Sequence, residues 1–441
     1  DLFAPWRVEL LAYDPYVDES KFVRHNSKSV KLETLLKNSD VVTIHCDLTE
    51  ETTNLLSNYE FEKMKANAIL VNAARGPIVD TNALVEVLLQ EKIAGAALDV
   101  LPEEPPDPQL PLLGLKNKVL LAEPWDIGPG GYQVGNFPSP WLEVNDKYRD
   151  TVRAFWRGDD GVTADFATRL MGSRDIFHKG HRHISTSVNN ISYHDGFTLH
   201  DMVTYAERHN LDNLEENRDG HGHNLSANYG VEGETSNPDI IAMRERQKRN
   251  LFATLIFSQG TPHVLGGDEL SRTQKGNNNA YCQDNPISWF NWELNKRKQD
   301  FLRFCQYVIR LRQSSSLLSE LKLHDDTYHL SRNVKEINWY KPDGSDKASE
   351  DWNALHNKAF GVEIKGCASG TQKPEHWFLC VNASENDVRF HLPSVLPRGG
   401  WTMHLDTRYA SLEEQPSICI QKVFLQASSS LTLFSFASFD A

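Results

Sequence analysis

The sequence predicts an α/β protein that ends in an all-β segment. In its first part, short apolar runs alternate with amphipathic helical patterns, as expected of βαβ units around a parallel sheet. Further along, the apolar runs are separated by long polar loops rich in Asn, His and Gly. From about residue 320, short alternating runs such as 377–381 and 431–434 predict antiparallel strands. With 441 residues the chain has room for two or three domains, which we place at 1–117, 118–318 and 319–441.

Each predicted element follows from a local pattern. In the first part we expect strands at 8–13, 40–46, 68–72 and 93–100 and helices at 32–37 and 81–91. Asp80 is predicted to cap the second helix, and its apolar side is expected to consist of Leu84, Val85, Leu88 and Leu89. In the middle part we expect strands at 119–123, 188–193 and 262–266 and a helix at 239–256. Long loops after parallel strands usually carry functional sites.

Charge and cysteine content limit the classes of partner. The formal net charge of −14 argues against nucleic acid or an anionic membrane surface, because phosphate groups are bound by clustered positive charge. The six cysteines form no Cys-x-x-Cys pair, which favours a reduced, cytoplasmic setting. No run reaches the roughly 18 apolar residues of a membrane span, and the first residues lack the pattern of a signal peptide. We therefore expect a neutral or small anionic ligand.

Two carboxylates lie at predicted strand ends. Glu123 follows the apolar run 119–122, and Asp195 comes 72 positions later, directly after His194. A pair of carboxylates at such positions is typical of a glycoside hydrolase. Trp125 beside Glu123 predicts an aromatic, partly dry mouth that would raise the pKa of the Glu123 carboxyl. The alternative is that Glu123 is a buried strand-end acid paired with an arginine.

Three motifs in the first part carry a family resemblance: Ala12-Tyr13-Asp14-Pro15, the run 71–80 (VNAARGPIVD) and the run 97–105 (ALDVLPEEP). Over about residues 8–117 the chain resembles the NAD-binding domain of the D-isomer-specific 2-hydroxyacid dehydrogenases, which implies a partial Rossmann-like parallel sheet. By this resemblance Asp14 would accept hydrogen bonds from a ribose diol, and Arg75 would pair with a substrate carboxylate. Asp99 would lie near the nicotinamide, and Glu104 would orient a catalytic histidine.

The chain departs from that family at two places. Where the family continues with a Thr-Pro-His type sequence, this chain has Leu121-Ala122-Glu123-Pro124-Trp125. No glycine-rich turn precedes Asp14, so the resemblance makes NAD a possible cofactor without its main pyrophosphate cradle. The alternative is that Arg75 is a surface or capping arginine in an inactive partial sheet.

The remainder carries longer motifs, which are the runs 122–132 (AEPWDIGPGGY), 194–199 (HDGFTL), 215–220 (EENRDG), 258–262 (SQGTP) and 276–284 (GNNNAYCQD). From about residue 118 to the end the chain resembles bacterial glycogen debranching enzymes and plant-type isoamylases of the α-amylase superfamily. The resemblance implies the second half of a (β/α)8 barrel, then a C-terminal antiparallel β-sandwich, and a branched α-glucan as substrate. Neither a metal nor a cofactor is implied for glycoside hydrolysis.

Residue roles follow from the same resemblance. Glu123 would be the general acid that protonates the glycosidic oxygen, and Asp195 the second acid that binds sugar hydroxyls. His194 would hydrogen-bond the same sugar. Trp125 and Trp289 are candidates for stacking on sugar faces, with core packing as the alternative for each.

A nucleophile is harder to assign. The superfamily carries it as an aspartate on the preceding strand, with an arginine two residues earlier. The aspartate on the preceding strand here is Asp99, and Ala97 stands two residues before it. The sequence therefore predicts a retaining α-1,6-glucosidase with impaired turnover. The alternatives are an NAD-dependent dehydrogenase remnant and a non-catalytic fusion product that at most binds glucan.

Overall fold

The computed structural model describes residues 9–24, 27–103, 110–115, 118–126, 128–139, 141–177, 182, 184–319, 336–367, 374–394, 399–416, 418–420 and 422–438. The chain divides into two compact units, residues 1–143 and 144–441, and each is described by itself.

The first unit alternates strands and helices, as the sequence predicts. Its elements are β1 (Leu11–Ala12), α1 (Glu19–Arg24), β2 (Lys28–Ser29), α2 (Leu32–Asn38), β3 (Val41–Ile44), α3 (Asn58–Phe61), β4 (Ile69–Asn72), α4 (Thr81–Leu89), β5 (Gly95–Leu98), α5 (Pro111–Gly114), β6 (Lys118–Ala122) and the start of β7 (Leu142–Asn145). Strands β3, β4, β5, β6 and β7 pair in that order, all parallel. Strand β1 pairs instead with β2, in a separate two-stranded sheet.

Helix α4 shows how the core of this unit is built. The Asp80 carboxylate accepts hydrogen bonds from the backbone N–H groups of Asn82 and Ala83, so the predicted N-cap is confirmed. The buried side of the helix consists of Ala83, Leu84, Val87 and Leu88. Leu89 was wrongly predicted to share this side and is 65% exposed. Residues 83 and 87, and likewise 84 and 88, are four positions apart and therefore lie on the same side of the helix. Residue 89 is rotated by about 100° from residue 88 and points toward solvent.

The second unit begins with a helical layer that the sequence patterns underestimate. Its elements after β7 are α6 (Asp146–Arg157), α7 (Thr163–Leu170), α8 (Arg174–Phe177), β8 (Ser187–Asn189), α9 (Leu199–Met202), α10 (Pro238–Phe257), β9 (Thr261–Pro262), α11 (Lys296–Ser314) and α12 (Ser316–Ser319). The predicted helix 239–256 is confirmed as α10. Strand β7 and helices α6, α7 and α11 were not predicted. Helix α11 was missed although its buried Phe301, Phe304, Cys305 and Val308 follow a helical spacing.

The two predicted strands of the second unit are shorter than expected. Strand β8 pairs in parallel with β9 through Val188↔Thr261 and Asn189↔Pro262. Pro262 brings no backbone N–H to the ladder, so regular pairing ends there. The residues predicted as the later parts of these strands, 190–193 and 263–266, are loops that follow the strand ends.

The C-terminal part is antiparallel, as predicted. Its elements are β10 (Glu336–Tyr340), α13 (Ser349–Trp352), β11 (Ala359–Cys367), β12 (Pro374–Asn382), β13 (Val388–His391), β14 (Gly399–Asp406), β15 (Cys419–Ile420), β16 (Val423–Gln426) and β17 (Ser430–Ser438). One sheet has the order β10-β11-β12-β17-β14-β15, and β13 pairs with β16 in a second. Phe424 of the second sheet packs edge-on against Phe434 of the first, with 5.1 Å between ring centroids. The two sheets thus enclose an aromatic core.

Helix α10 lies within the larger core of this unit, together with side chains of α6, α7, α11 and the antiparallel sheet. Among the helices that the structure describes, none combines the length and apolar character needed to cross a bilayer. The cysteines whose side chains are described carry free thiols, namely Cys46, Cys282, Cys305, Cys380 and Cys419.

Candidate active site

Glu123 belongs to the first unit and follows β6 directly. Its backbone carbonyl accepts a hydrogen bond from Trp125 N at 2.9 Å, and the Pro124 carbonyl accepts one from Gln133 N at 2.7 Å. Pro124 is buried and Trp125 half-buried, but the Glu123 side chain is exposed. The dry surroundings expected to raise the pKa of this carboxyl are therefore not seen. The chain turns at Pro124, and it is the proline that fills the buried position after the strand.

Arg75 and Asp99 lie at the same edge of the first unit's sheet. They follow β4 and β5, which pair through Asn72↔Leu98, so both come at the carboxyl ends of neighbouring parallel strands. Asn72 links the two segments. Its side chain hydrogen-bonds to Arg75 O and Ala74 N, and its backbone carbonyl accepts a hydrogen bond from Asp99 N. Arg75 and Asp99 are both exposed, and an Arg75 Nη1–H donates to the adjacent Ala74 carbonyl.

Asp14 lies apart from these two residues. It follows β1, which belongs to the separate two-stranded sheet, and its Oδ1 accepts a hydrogen bond from Tyr16 N at 2.9 Å. The structure thus does not bring the proposed ribose-binding acid onto the sheet that carries Arg75 and Asp99. Glu104 lies outside the described residues.

Asp195 belongs to the second unit and is held by a histidine that the sequence did not single out. His221 Nε2 lies 3.3 Å from Asp195 Oδ2. This hydrogen bond lowers the pKa of the Asp195 carboxyl, burial opposes the shift, and the positive charges of His221, His194 and Arg149 support it. Asp195 Oδ1 is buried and has no hydrogen-bond partner among the described residues. The Asp195 side chain as a whole is 37% exposed, so a ligand that brings a hydroxyl or N–H group can reach the carboxylate from solvent.

His194 stands beside Asp195 with its side chain exposed and its ring centroid 4.6 Å from that of the buried Tyr193. The imidazole is thus backed by an aromatic ring and open to solvent. The predicted site residues His194 and Asp195 thus lie on one loop, which follows β8.

A buried arginine fixes the loops of Asp195 and His221 relative to each other. Arg153 of α6 donates from Nε and Nη2 to Ile191 O, at 2.8 and 2.6 Å, and from Nη1 to Asn224 O at 3.0 Å. Ile191 precedes Asp195, and Asn224 follows His221. Burial lowers the pKa of Arg153 to about 9, which still leaves the guanidinium charged at neutral pH.

Asp268 is a second acid that sequence reasoning missed. It is fully buried, accepts a hydrogen bond from the Ser192 hydroxyl and accepts another from Leu199 N at 2.9 Å. The two donors lie at the two ends of the loop 193–198, so the Asp268 carboxylate links these ends. Burial raises the pKa of its carboxyl to about 7. An acid shortly after the predicted strand 262–266, in Gly266-Gly267-Asp268, was the available sequence signal.

Buried asparagines join one run of the debranching resemblance, 276–284, to the segment that contains His221. Asn278 Nδ2 donates to His221 O and to Asn224 Oδ1, both at 2.8 Å. Asn210 Nδ2 donates to Asn278 Oδ1 at 2.8 Å. These bonds join the loops of Asn210, Asn278 and His221 into one framework, and His221 in turn contacts Asp195.

The two ends of the chain match different protein families. Residues 1–123 match the family "D-isomer specific 2-hydroxyacid dehydrogenase, NAD binding domain". Residues 336–422 match "Isoamylase, C-terminal". The chain is a chimera of a part similar to the first family and a part similar to the second. Both resemblances inferred from the sequence motifs are confirmed.

Curated relatives match the longer part. The chimera is 44% identical over 296 residues to the "Glycogen operon protein GlgX homolog" of Mycobacterium bovis, covering 65% of this chain and 41% of that protein. It is 38% identical over 284 residues to the "Glycogen debranching enzyme" of Serratia proteamaculans, covering 64% and 40%. The chimera thus spans about two fifths of the length of these relatives.

A solved structure supports the fold. The pullulanase of Bacillus acidopullulyticus is similar with a TM-score of 0.52 at 16% identity, covering 83% of this chain and 37% of that one. The predicted fold class, a parallel α/β region followed by an antiparallel β region, is confirmed. At this level of identity the likeness concerns the fold alone.

Proposed function

We propose that the chimera is a debranching-type glycoside hydrolase that binds branched α-glucan in the cytoplasm and is directed at α-1,6-glucosidic bonds with a retaining mechanism. The observation that carries the proposal is Asp195, a carboxylate held by His221 whose side chain is 37% exposed beside the exposed His194. A sugar hydroxyl can donate to this carboxylate from the solvent side. The relatives named as glycogen debranching enzymes support the same ligand class.

Each proposed role has a chemical basis. Glu123 acts as the general acid, because it follows a strand end and its exposed carboxyl is accessible to a glycosidic oxygen. Asp195 binds sugar hydroxyls and stabilises positive charge on the ring, since a lowered pKa keeps it ionised. His194 hydrogen-bonds the same sugar, and the half-buried Trp125 offers part of its ring for stacking. Glycoside hydrolysis by these groups requires no cofactor.

Turnover by this chain is proposed to be impaired. Retaining hydrolysis needs a nucleophilic carboxylate about 5.5 Å from the acid. Asp99 follows β5, the neighbour of β6, but it lacks the arginine two residues earlier and lies in the segment that matches the dehydrogenase family. Comparison of Asp99→Asn with the unchanged chain tests this point. If the chain hydrolyses glycogen and Asp99→Asn abolishes the reaction, Asp99 is the nucleophile and the proposal of impairment is wrong.

The function itself is tested by glycogen binding and by release of reducing ends from glycogen. We expect the chain to bind glycogen and Asp195→Asn to bind it at least tenfold more weakly, because the amide loses the ionic hydrogen bonds to sugar hydroxyls. The matched control is Asp14→Asn, an exposed acid of the first unit, which should bind as the unchanged chain does. Equal binding by the Asp195 variant would contradict the assignment.

The alternative function is NAD binding by the first unit, which the family match to residues 1–123 favours. The described residues do not fit a dinucleotide well. The ribose acid of such sites ends a strand of the sheet that binds the nucleotide, whereas Asp14 follows a strand of the separate sheet. A titration of NADH followed by its fluorescence separates the two functions, and saturable binding would support the alternative.

A further inference from the structure

We propose that the segment 281–292 forms a second α-glucan-binding surface, an aromatic platform made of Tyr281, Trp289 and Trp292. It would hold part of a glucan chain outside the Asp195 site. This inference rests on the proposed function, since it extends the same ligand from the Asp195 site to a second surface that includes Trp289, a candidate for sugar stacking.

The platform places three large aromatic side chains in solvent. Tyr281 is 74% exposed, Trp289 57% and Trp292 45%. Tryptophan is usually largely buried, so two such residues three positions apart with about half of their surface in water are unusual. Exposed aromatic groups of this kind mark binding surfaces.

The two tryptophan rings are held in place before any ligand binds. Trp289 Nε1–H donates to Asp284 Oδ1 at 2.9 Å, and Trp289 N donates to Asn285 O at 3.0 Å. Trp292 stacks on Phe290 with 5.5 Å between ring centroids and 17° between planes. A fixed ring loses little conformational entropy on binding, which favours affinity.

The loop beneath the rings is anchored as well. Ile287 is buried, and Arg272 donates from Nη2 to Ser288 O at 3.2 Å. The Arg272 guanidinium also lies 5.1 Å from the centre of the Phe290 ring. These contacts fix the segment that carries the platform, so it is not an extended loop tip.

The chemistry of the segment favours a neutral polyhydroxylated chain. Sugar rings present apolar C–H faces that stack on indole and phenol rings, and their hydroxyl edges hydrogen-bond to polar groups at the rim. The rim contains the acids Asp284 and Glu293, and residues 281–293 include neither lysine nor arginine. An anionic ligand such as a nucleic acid or phosphorylated peptide is therefore disfavoured.

The platform belongs to the same loop framework as the Asp195 site. Gln283 Nε2, at the start of the platform segment, donates to Asn213 Oδ1 at 2.7 Å, and Asn277 Nδ2 donates to the same oxygen at 2.8 Å. The next residue, Asn278, donates to the carbonyl of His221, whose imidazole contacts Asp195. A framework that is hydrogen-bonded throughout keeps both surfaces in a fixed relation, as binding of one glucan chain at two places requires.

The test measures the affinity of the full chain for glycogen and for the short linear maltoheptaose. We expect Trp289→Ala and Trp292→Ala each to weaken glycogen binding roughly tenfold, as loss of a central aromatic contact usually does. The effect on maltoheptaose should be smaller, because a short chain reaches fewer contacts. The matched control is Tyr59→Ala on α3, which removes another ring that is 60% exposed and should leave glycogen affinity unchanged.

A second pair of variants separates ring position from folding. Asp284→Ala removes the acceptor that fixes the Trp289 indole and should weaken glycogen binding about threefold, whereas Asp284→Asn retains an acceptor and should restore it. Unchanged melting temperatures confirm that each variant is folded. If the unchanged chain binds glycogen and the tryptophan variants bind equally well, the platform is wrong and the proposed function stands. If the unchanged chain does not bind glycogen, both are overturned.

Discussion

In the two units of this chimera, the acids that follow the strands have opposite surroundings. In the first unit Asp99 and Glu123 follow neighbouring parallel strands and are exposed. In the second unit Asp195 contacts His221, and Asp268 is fully buried on Ser192 and Leu199. A strand therefore determines only where in the fold an acid lies. The protonation state of an acid is set by loops that come from elsewhere in the chain.

The largest expected effect tests Glu123 as the general acid. Any hydrolysis of glycogen by the chain should fall by about 10²- to 10⁴-fold in Glu123→Gln, because the amide cannot donate the proton that the leaving oxygen needs. Arg75→Ala, at another exposed strand end of the same unit, should leave the rate unchanged. Release of reducing ends measures both. Hydrolysis that survives the Glu123 change would assign the acid to a different residue.

The next effect concerns the core of the first unit. Leu84→Ala should lower the free energy of unfolding by about 2–5 kcal/mol, because Leu84 is 1% exposed and its loss leaves a cavity. Leu89→Ala on the same helix should change it by less than about 0.5 kcal/mol, since Leu89 lies in solvent. Urea denaturation compares the two variants directly. Similar costs would contradict the buried side of α4 described above.

The buried acid of the second unit should make stability depend on pH. The pKa of Asp268 is raised to about 7 in the folded chain, whereas the unfolded value is near 3.8. Between these values the folded state binds more protons, so stability should fall as pH rises from about 4 to 7, by at most roughly 4 kcal/mol. Asp268→Asn should remove most of this fall, because the amide does not titrate.

Urea denaturation at pH 4.5 and pH 7.5 measures that dependence for the second unit. The exposed Asp14 offers a control, and Asp14→Asn should retain the fall seen in the unchanged chain. An Asp268→Asn chain that loses stability with pH as steeply as the unchanged one would show that another group titrates.

The smallest effect concerns the histidine that holds Asp195. The pKa of this carboxyl is lowered mainly by its hydrogen bond with His221, so His221→Gln should raise it toward its ordinary value. A lowered pKa stabilises the fold above the unfolded pKa, and this contribution is lost as pH falls through the folded value. His194, Arg149 and Arg153 also act on Asp195 and remain in the variant.

Carboxyl ¹³C chemical shifts followed through an acid titration report the pKa of Asp195. His356→Gln serves as the control, because His356 contacts a different acid, Asp160, and should leave the Asp195 titration unchanged. If the pKa of Asp195 stays low without His221, the remaining positive charges hold it.

Much of the fold could be predicted from local patterns. The alternation of apolar runs and helices correctly predicted strands β3, β4 and β5 and helices α2 and α4, and the helix 239–256 was confirmed as α10. The strand predicted at 262–266 ends at Pro262, and the sequence prediction does not include α6 and α11. Both helices have charged residues between their buried ones, and the core that covers the buried residues comes from distant parts of the chain.

The sequence likewise predicted only some residues of the candidate site. Motifs of contiguous residues were sufficient to find His194, Asp195 and Glu123 and to separate the dehydrogenase-like part from the debranching-like part. His221 and Asp268 were not found, because they are 26 and 73 positions away from Asp195 and meet its loop only in the folded chain.

By itself, the sequence determined the two family resemblances, the alternating and antiparallel patterns and the acids that follow strands, because each of these depends on neighbouring residues. The tertiary structure alone decided which acid is exposed and which is held by a donor. The Glu123 side chain is exposed, whereas His221 contacts one oxygen of Asp195 and the other oxygen is buried. Burial, hydrogen bonds and nearby charges come largely from residues distant in sequence, and together they set the pKa of a carboxyl group.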